Sequence, residues 1–222
     1  MQRRDVILSA AALALASRAN ALSETDAASG IRAALEKGAN SAVAVLGRQD
    51  GFMGNPQVHI ELPHALQSAA KLAKATGQGR KVEELELAMN RAAEAAVPQA
   101  RALLVNAVKS MSVDDGLKIL RGGEDSATRF FEAKTRAPIG EKFLPIVQQA
   151  TRKVALADKY NAVAGKAAGF GLIKREDSNI DSYVTGKALD GLFLMIAQEE
   201  KKIRQDPVGT GSALLKKVFG GL

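Results

Sequence analysis

The stretch LDGLFLMIAQEEKKIRQDP, Leu189–Pro207, is apolar almost without interruption as far as Ala197 and then becomes a block of opposite charges. At 100° per residue, Leu189, Leu192, Phe193, Leu194, Met195 and Ile196 cover most of a helix's circumference, which marks a helix enclosed by others. A helix enclosed on all sides needs neighbours to enclose it. This segment is therefore read as the central core helix of an all-α fold. Upstream, Ser178-Asn179-Ile180-Asp181 is a capping signal, so the helix is expected to start there and to run to about Gln205, where Pro207 stops it.

The charged half has two readings. Glu199 lies next to Lys202, and Glu200 precedes Arg204 by four residues, pairs that stabilise a surface helix by about 0.2 to 0.5 kcal/mol each. Lys201, Lys202 and Arg204 also complement the dipole at a helix C-terminus. On the plain reading, then, the block is the solvated end of the core helix. The functional reading has Glu199, Glu200, Arg204 and Asp206 contacting a second protein or an anionic ligand. Within the apolar half, Lys187 and Asp190, three apart, are expected as a partly buried pair.

Outward from this segment the pattern stays helical. Ser23 with Asp26 forms a short-armed capping box, and Ile31, Leu35, Ala39, Ala42 and Leu46 recur at helical spacing, which predicts a first helix over Glu24–Leu46. Gly51 to Pro56 reads as a loop. Val58-His59-Ile60-Glu61-Leu62 alternates too briefly for a sheet and reads as an extended connector or small strand. After Pro63, Leu66, Ala69, Ala70, Leu72 and Ala73 mark one side of a helix that ends at Gly77 and Gly79.

Val82, Leu85, Met89, Ala92, Ala93 and Ala96 give the next apolar stripe, up to Pro98, and Gln99–Met111 is a helix burying Leu103, Leu104, Ala107 and Val108. Ser112 and Asp115 cap a short helix ending at Gly122-Gly123. Glu124-Asp125-Ser126 opens the next, with Phe130 and Phe131. Pro138 is expected to begin a further segment through Leu144, Val147, Ala150, Val154 and Tyr160, bent or broken at Pro145. Gly165, Gly169 and Gly171 make the following stretch loose, and Gly211–Phe219 forms a short amphipathic helix. The expected architecture is a single compact domain of about eight helices with at most one short extended segment.

The N-terminus MQRRDVILSAAALALASRANA has the order of parts of a secretory signal peptide: Arg3 and Arg4, an apolar run from Val6 to Ala16, and the small-x-small signature Ala19-Asn20-Ala21. The apolar run is too short to span a bilayer, so no stable membrane span is expected. Cleavage is expected after Ala21, with residues 22–222 forming the domain and the periplasm as destination. The paired arginines suggest the twin-arginine route, although Gln2 stands where that pattern favours Ser or Thr. Removing the leader takes three arginines and one aspartate from a formal charge of +7, leaving a mildly basic chain of +5. No basic tract interleaved with aromatics points to nucleic acid. There is no cysteine, which excludes thiol nucleophiles, iron–sulfur clusters and cysteine-ligated zinc.

Four blocks, NPQVHIELP from Asn55, ELAMNRAAEAAVP from Glu86, ILRGGEDSATRFF from Ile119 and KALDGLFLMIAQEEKKIRQDP from Lys187, occur in an order and spacing that resembles an all-helical family of exported bacterial proteins, the domain of unknown function 4197. The resemblance covers nearly all of the chain after the leader. It implies an all-α fold, an envelope location and single-domain size. It implies no catalytic residue.

Three constellations remain. His59, Glu61 and His64 have irregular spacing for a metal site, and exposed loop histidines are the plainer explanation, so no metal or cofactor is expected. Glu86, Asn90 and Glu94, with Arg91 adjacent, repeat every four residues. They could serve acid–base chemistry around a cleft, or form the polar border of an amphipathic helix packed against Lys187 or Arg101. Gly122-Gly123 before a helix could offer backbone donors to an anion, but is read as a helix stop and start. The functional expectation is a non-enzymatic binding or interaction module of the cell envelope, with an unknown envelope protein or small ligand as partner. The alternatives are a cofactor-free hydrolase or lyase using the carboxylates, and a carrier of an apolar small ligand.

Overall fold

In the computed structural model, residues 24–77, 79–170 and 178–206 are described. They form eight α-helices: α1 (Glu24–Leu46), α2 (His64–Ala75), α3 (Gly79–Ala96), α4 (Ala100–Lys109), α5 (Val113–Arg121), α6 (Ser126–Thr151), α7 (Ala155–Gly169) and α8 (Ile180–Gln205). A 3-10 turn over Val97–Gln99, carrying Pro98, joins α3 to α4. Among the described residues there is no strand, and Val58–Leu62 is an irregular connector. The expected leader, Gly171, Pro207 and the helix expected over Gly211–Phe219 lie outside the described residues.

α6 and α8, each 26 residues long and so about 39 Å at 1.5 Å per residue, are the spine. They run antiparallel, since Ala127 meets Glu200, Arg136 meets Asp190 and Thr151 meets Asp181. α8 has the enclosure expected of it, with Leu189, Leu192, Phe193, Met195 and Ile196 all buried, although Leu194 is 42% exposed. Its start is capped by Asn179, whose side-chain oxygen accepts from the backbone N–H of Asp181 and Ser182. α1 lies against the second half of α8, where Gly38 faces Glu199 and Ile203, and α5 crosses the start of α1 with Gly116 over Ala28. One hydrophobic core draws on all eight helices and on the connector through Phe52, Val58 and Ile60.

Several sequence expectations are corrected. Pro138 does not begin a helix and Pro145 does not break one, because both lie inside α6. Apart from Thr128, the buried positions of α6, Ala127, Phe131, Thr135, Ile139, Phe143, Val147 and Thr151, recur every four residues, while Pro145 is exposed on the outer side. The carbonyls that lose a donor to these prolines belong to Lys134 and Glu141, both exposed residues at which water can substitute. The break falls instead between Thr151 and Ala155. Gly165 stands inside α7 and Gly79 opens α3, so neither marks a loop. The stop after α2 is Gly77 alone, at φ +76°, with the Thr76 hydroxyl donating to the Leu72 and Ala73 carbonyls. Leu72, expected on the buried side of α2, is 67% exposed.

Candidate functional site

α3 carries the polar row that the sequence singled out, and each member holds a different part of the segment between α1 and α2. Glu94 is buried, and its carboxylate accepts from the backbone N–H of Phe52 and Met53, both at 3.0 Å. Arg91 donates to Glu94 at 2.6 Å and to Asp50 at 2.7 Å. These two bonds, to Glu94 first, raise the arginine's pKa above its ordinary value. Asp50 occupies the left-handed region at φ 63°, which Asp tolerates better than most residues.

One turn earlier, the buried Asn90 accepts from Ile60 N–H at 2.9 Å and donates to the Ile60 and Glu86 carbonyls at 3.0 and 2.9 Å. One turn earlier again, Glu86 faces His59 Nε2 at 2.8 Å, while His59 Nδ1 faces the Met53 carbonyl at 3.1 Å. The ring thus bridges the α3 carboxylate and the backbone of the connector. The row is a ladder that pins the connector and presses Phe52 and Ile60 into the core. It packs against neither Lys187 nor Arg101, contrary to expectation. Glu86 and Glu94 stand eight residues apart, about 12 Å along the axis, and their carboxylates engage different groups, so they do not form an acid–base pair.

Gly191 on α8 completes this arrangement. A Cβ there would come within 2.8 Å of the Phe52 ring and 3.2 Å of Val58. Glycine is what lets the connector lie on the core helix.

At the charged end of α8, Lys201, Lys202 and Asp206 are exposed as on the plain reading, but Glu200 and Arg204 are not a surface pair. Glu200 is 5% exposed, and its carboxylate accepts from the N–H groups of Ala127 and Thr128 at 3.0 and 2.9 Å and from the Thr128 hydroxyl at 2.9 Å. Arg204 donates to Glu200, to the Ile119 carbonyl and to Ser126 Oγ at 2.9, 2.9 and 2.7 Å. The N-terminus of α6, after Gly122-Gly123, is thus an anion site occupied by the chain's own carboxylate. The arginine ties that site to the end of α5.

The other candidates are scattered. Glu199 pairs with Lys202 at 2.6 Å, as expected, and Asp206 is the exposed C-cap of α8. Lys187 and Asp190 do not pair with each other. Lys187 lies over the Tyr183 ring at 5.7 Å, and Asp190 is taken by Arg136 at 2.6 Å, an arginine that also sits over Phe193. Arg136 reaches Asp190 from the antiparallel α6, a contact no local spacing reveals. Among the described residues no three His, Asp or Glu side chains converge as a metal would require.

The opening on this side of the molecule lies between α2, α3 and α7. Its inner end is an apolar cavity of about 140 Å3 lined by Leu62, Leu66, Ala70, Ala73, Val82 and Leu156, with Lys81 at its edge. Leu62 and Ala70 are shared with a wider cleft of about 380 Å3, in which Lys71 and Lys74 of α2 face His59, Glu61 and Glu86. Sequence reading missed this site. Its one local trace is that α2, HALQSAAKLAKA, carries two lysines and no acid.

The fold and its polar ladders define an all-α protein whose eight described helices share a hydrophobic core beside a cleft of mixed character. The chain belongs to the family described as protein of unknown function (DUF4197), whose model matches residues 21–220. No curated protein and no solved structure matches it. Among the described residues no helix is long and apolar enough to cross a membrane.

Proposed function

We propose that this protein is an exported, non-catalytic binding module of the bacterial envelope, and that it takes a small ligand in the cleft between α2, α3 and α7. The observation that carries this reading is the continuity of an apolar cavity with a polar opening, the usual make-up of a small-molecule site. The carboxylates best placed in sequence for chemistry support it from the other side. Glu86 is bonded to His59, and Glu94 to the backbone N–H groups of Phe52 and Met53 and to Arg91, so each holds the connector. Glu200 and Arg204 likewise face inward, which favours the cleft over the end of α8 as the binding surface. Export rests on the leader pattern over residues 1–21, beside which the family match begins.

The test is native mass spectrometry of the chain from Leu22 onward, purified gently from the periplasm of its host. The expected result is extra mass that is lost on denaturation and absent from an Ala73→Trp variant that retains helical content. Bare chain mass from both proteins, alone or as multiples, would overturn the reading. The envelope part is tested separately, by fractionating cells that express the full chain: retention in the cytoplasm would refute it.

A further inference from the structure

We infer that the cleft ligand is a short amphiphile with an anionic head, its apolar end in the cavity lined by Leu62, Leu66 and Leu156 and its head between Lys71 and Lys74. The inference rests on the binding reading above and names the ligand class. Size sets the apolar end. An apolar cavity of roughly 150 Å3 accepts a benzene ring, so the 140 Å3 here takes one ring or a short alkyl chain and no long acyl tail.

Charge sets the head. Lys71 and Lys74 are one turn apart on α2, exposed, and neither has an ion pair among the described residues. Two carboxylates line the cleft, Glu61 and Glu86, and Glu86 is hydrogen-bonded to His59, so the two lysines of α2 are matched in number by the acids. Lys81 adds a third cation at the rim of the cavity, which sets three lysines against two carboxylates. A neutral head would leave this excess positive charge unanswered, and a cationic head would add to it. The head therefore lies where α2 contributes cations and no acid, and the tail points toward Val82 and Leu156.

The test is a nitrogen-15 NMR titration of the chain from Leu22 onward with four probes of one chain length: hexanoate, hexyl phosphate, hexanol and hexylammonium. Hexanoate and hexyl phosphate are expected to shift amides of α2, α3 and α7 saturably, to bind about five- to tenfold more tightly than hexanol, and to leave hexylammonium weakest. Lys71→Gln with Lys74→Gln should remove that margin and leave hexanol unchanged. Intermolecular NOEs from the hexanoate methylenes to the Leu62 and Leu66 methyls should locate the tail without any variant.

Binding of hexanol or hexylammonium as tight as that of hexanoate would overturn the anionic head while leaving a ligand-binding cleft standing. Unshifted cleft amides with all four probes would overturn the ligand class, and the mass measurement above then decides separately whether the cleft binds anything. Should the cleft bind both anions, the ratio of hexanoate to hexyl phosphate affinity tells a carboxylate from a phosphate head.

Discussion

Replacing Glu200 with alanine separates a buried clamp from a surface ion pair by nearly an order of magnitude in free energy. An exposed pair four residues apart on a helix contributes about 0.3–0.5 kcal/mol. Here the substitution would strip the acceptor from two backbone N–H groups and a hydroxyl at the start of α6, and would leave the Arg204 guanidinium, 16% exposed, without its carboxylate. Removing one partner of a buried pair costs about 3–5 kcal/mol, because the remaining charge stays desolvated. In a chain of this size that lowers the melting temperature by on the order of 10 °C.

Because tryptophan is absent, the assay is urea unfolding followed by far-UV circular dichroism, with Glu200→Ala, Arg204→Met and the double variant compared at constant m-value. Arg204→Met should cost less than Glu200→Ala, since Glu200 keeps its three donors on α6. The double variant should cost less than the sum of the two, because it leaves no orphaned guanidinium. A loss below about 1 kcal/mol for Glu200→Ala, with additive behaviour in the double variant, would refute the clamp and restore the solvated-end reading.

Three further substitutions test the connector and a cap. Asn90→Ala orphans the N–H and C=O of buried Ile60 and should cost about 2–4 kcal/mol in urea unfolding, with early loss of amide protection confined to residues 50–62 if the ladder is local. Gly191→Ala would ordinarily gain up to about 1 kcal/mol in a helix, yet the Phe52 ring 2.8 Å from the new Cβ should turn the change into a net loss of about 1–3 kcal/mol. Adding Phe52→Leu should recover part of that loss; a stabilised Gly191→Ala would show that the connector does not pack on α8 as described.

Ser112→Ala removes the capping box of α5 and should cost about 1 kcal/mol. Bonds from the Ser112 backbone N–H and then its hydroxyl hold Asp115 below its ordinary pKa. A folded-state pKa lower than the unfolded one stabilises above the unfolded value, about pH 4, and is lost as pH falls through the folded value. The difference between wild type and Ser112→Ala should therefore narrow below about pH 4, and a difference independent of pH would contradict the cap.

Much of the fold was legible because helices write their periodicity and caps locally. The stripe Val82 to Ala96 is buried throughout, Asn179 and Ser112 cap as their positions suggested, and the core helix ends at Gln205 as expected. The errors occurred where tertiary context overrode a local rule. Proline costs a helix a donor and a clash, yet Pro138 and Pro145 lie in α6 because its buried stripe winds along another side and the freed carbonyls belong to exposed residues. Leu72 follows the apolar spacing of α2 and is nonetheless exposed, because α2 packs principally on α3.

Sequence alone determined the class of fold, the helix that would be central and which residues would carry charge, since all three depend on spacing and residue type within one turn or two. Partner choice was the business of tertiary structure. Glu200 and Arg204 were visible as a pair four apart, but only the antiparallel packing of α6 on α8 places the start of one helix beside that carboxylate and buries it. Glu86, Asn90 and Glu94 were visible as a row, but only the return of the connector across α3 turns the row into a ladder. The cleft had the faintest local trace, because a cavity is space left between elements distant in sequence, and no single segment encodes it.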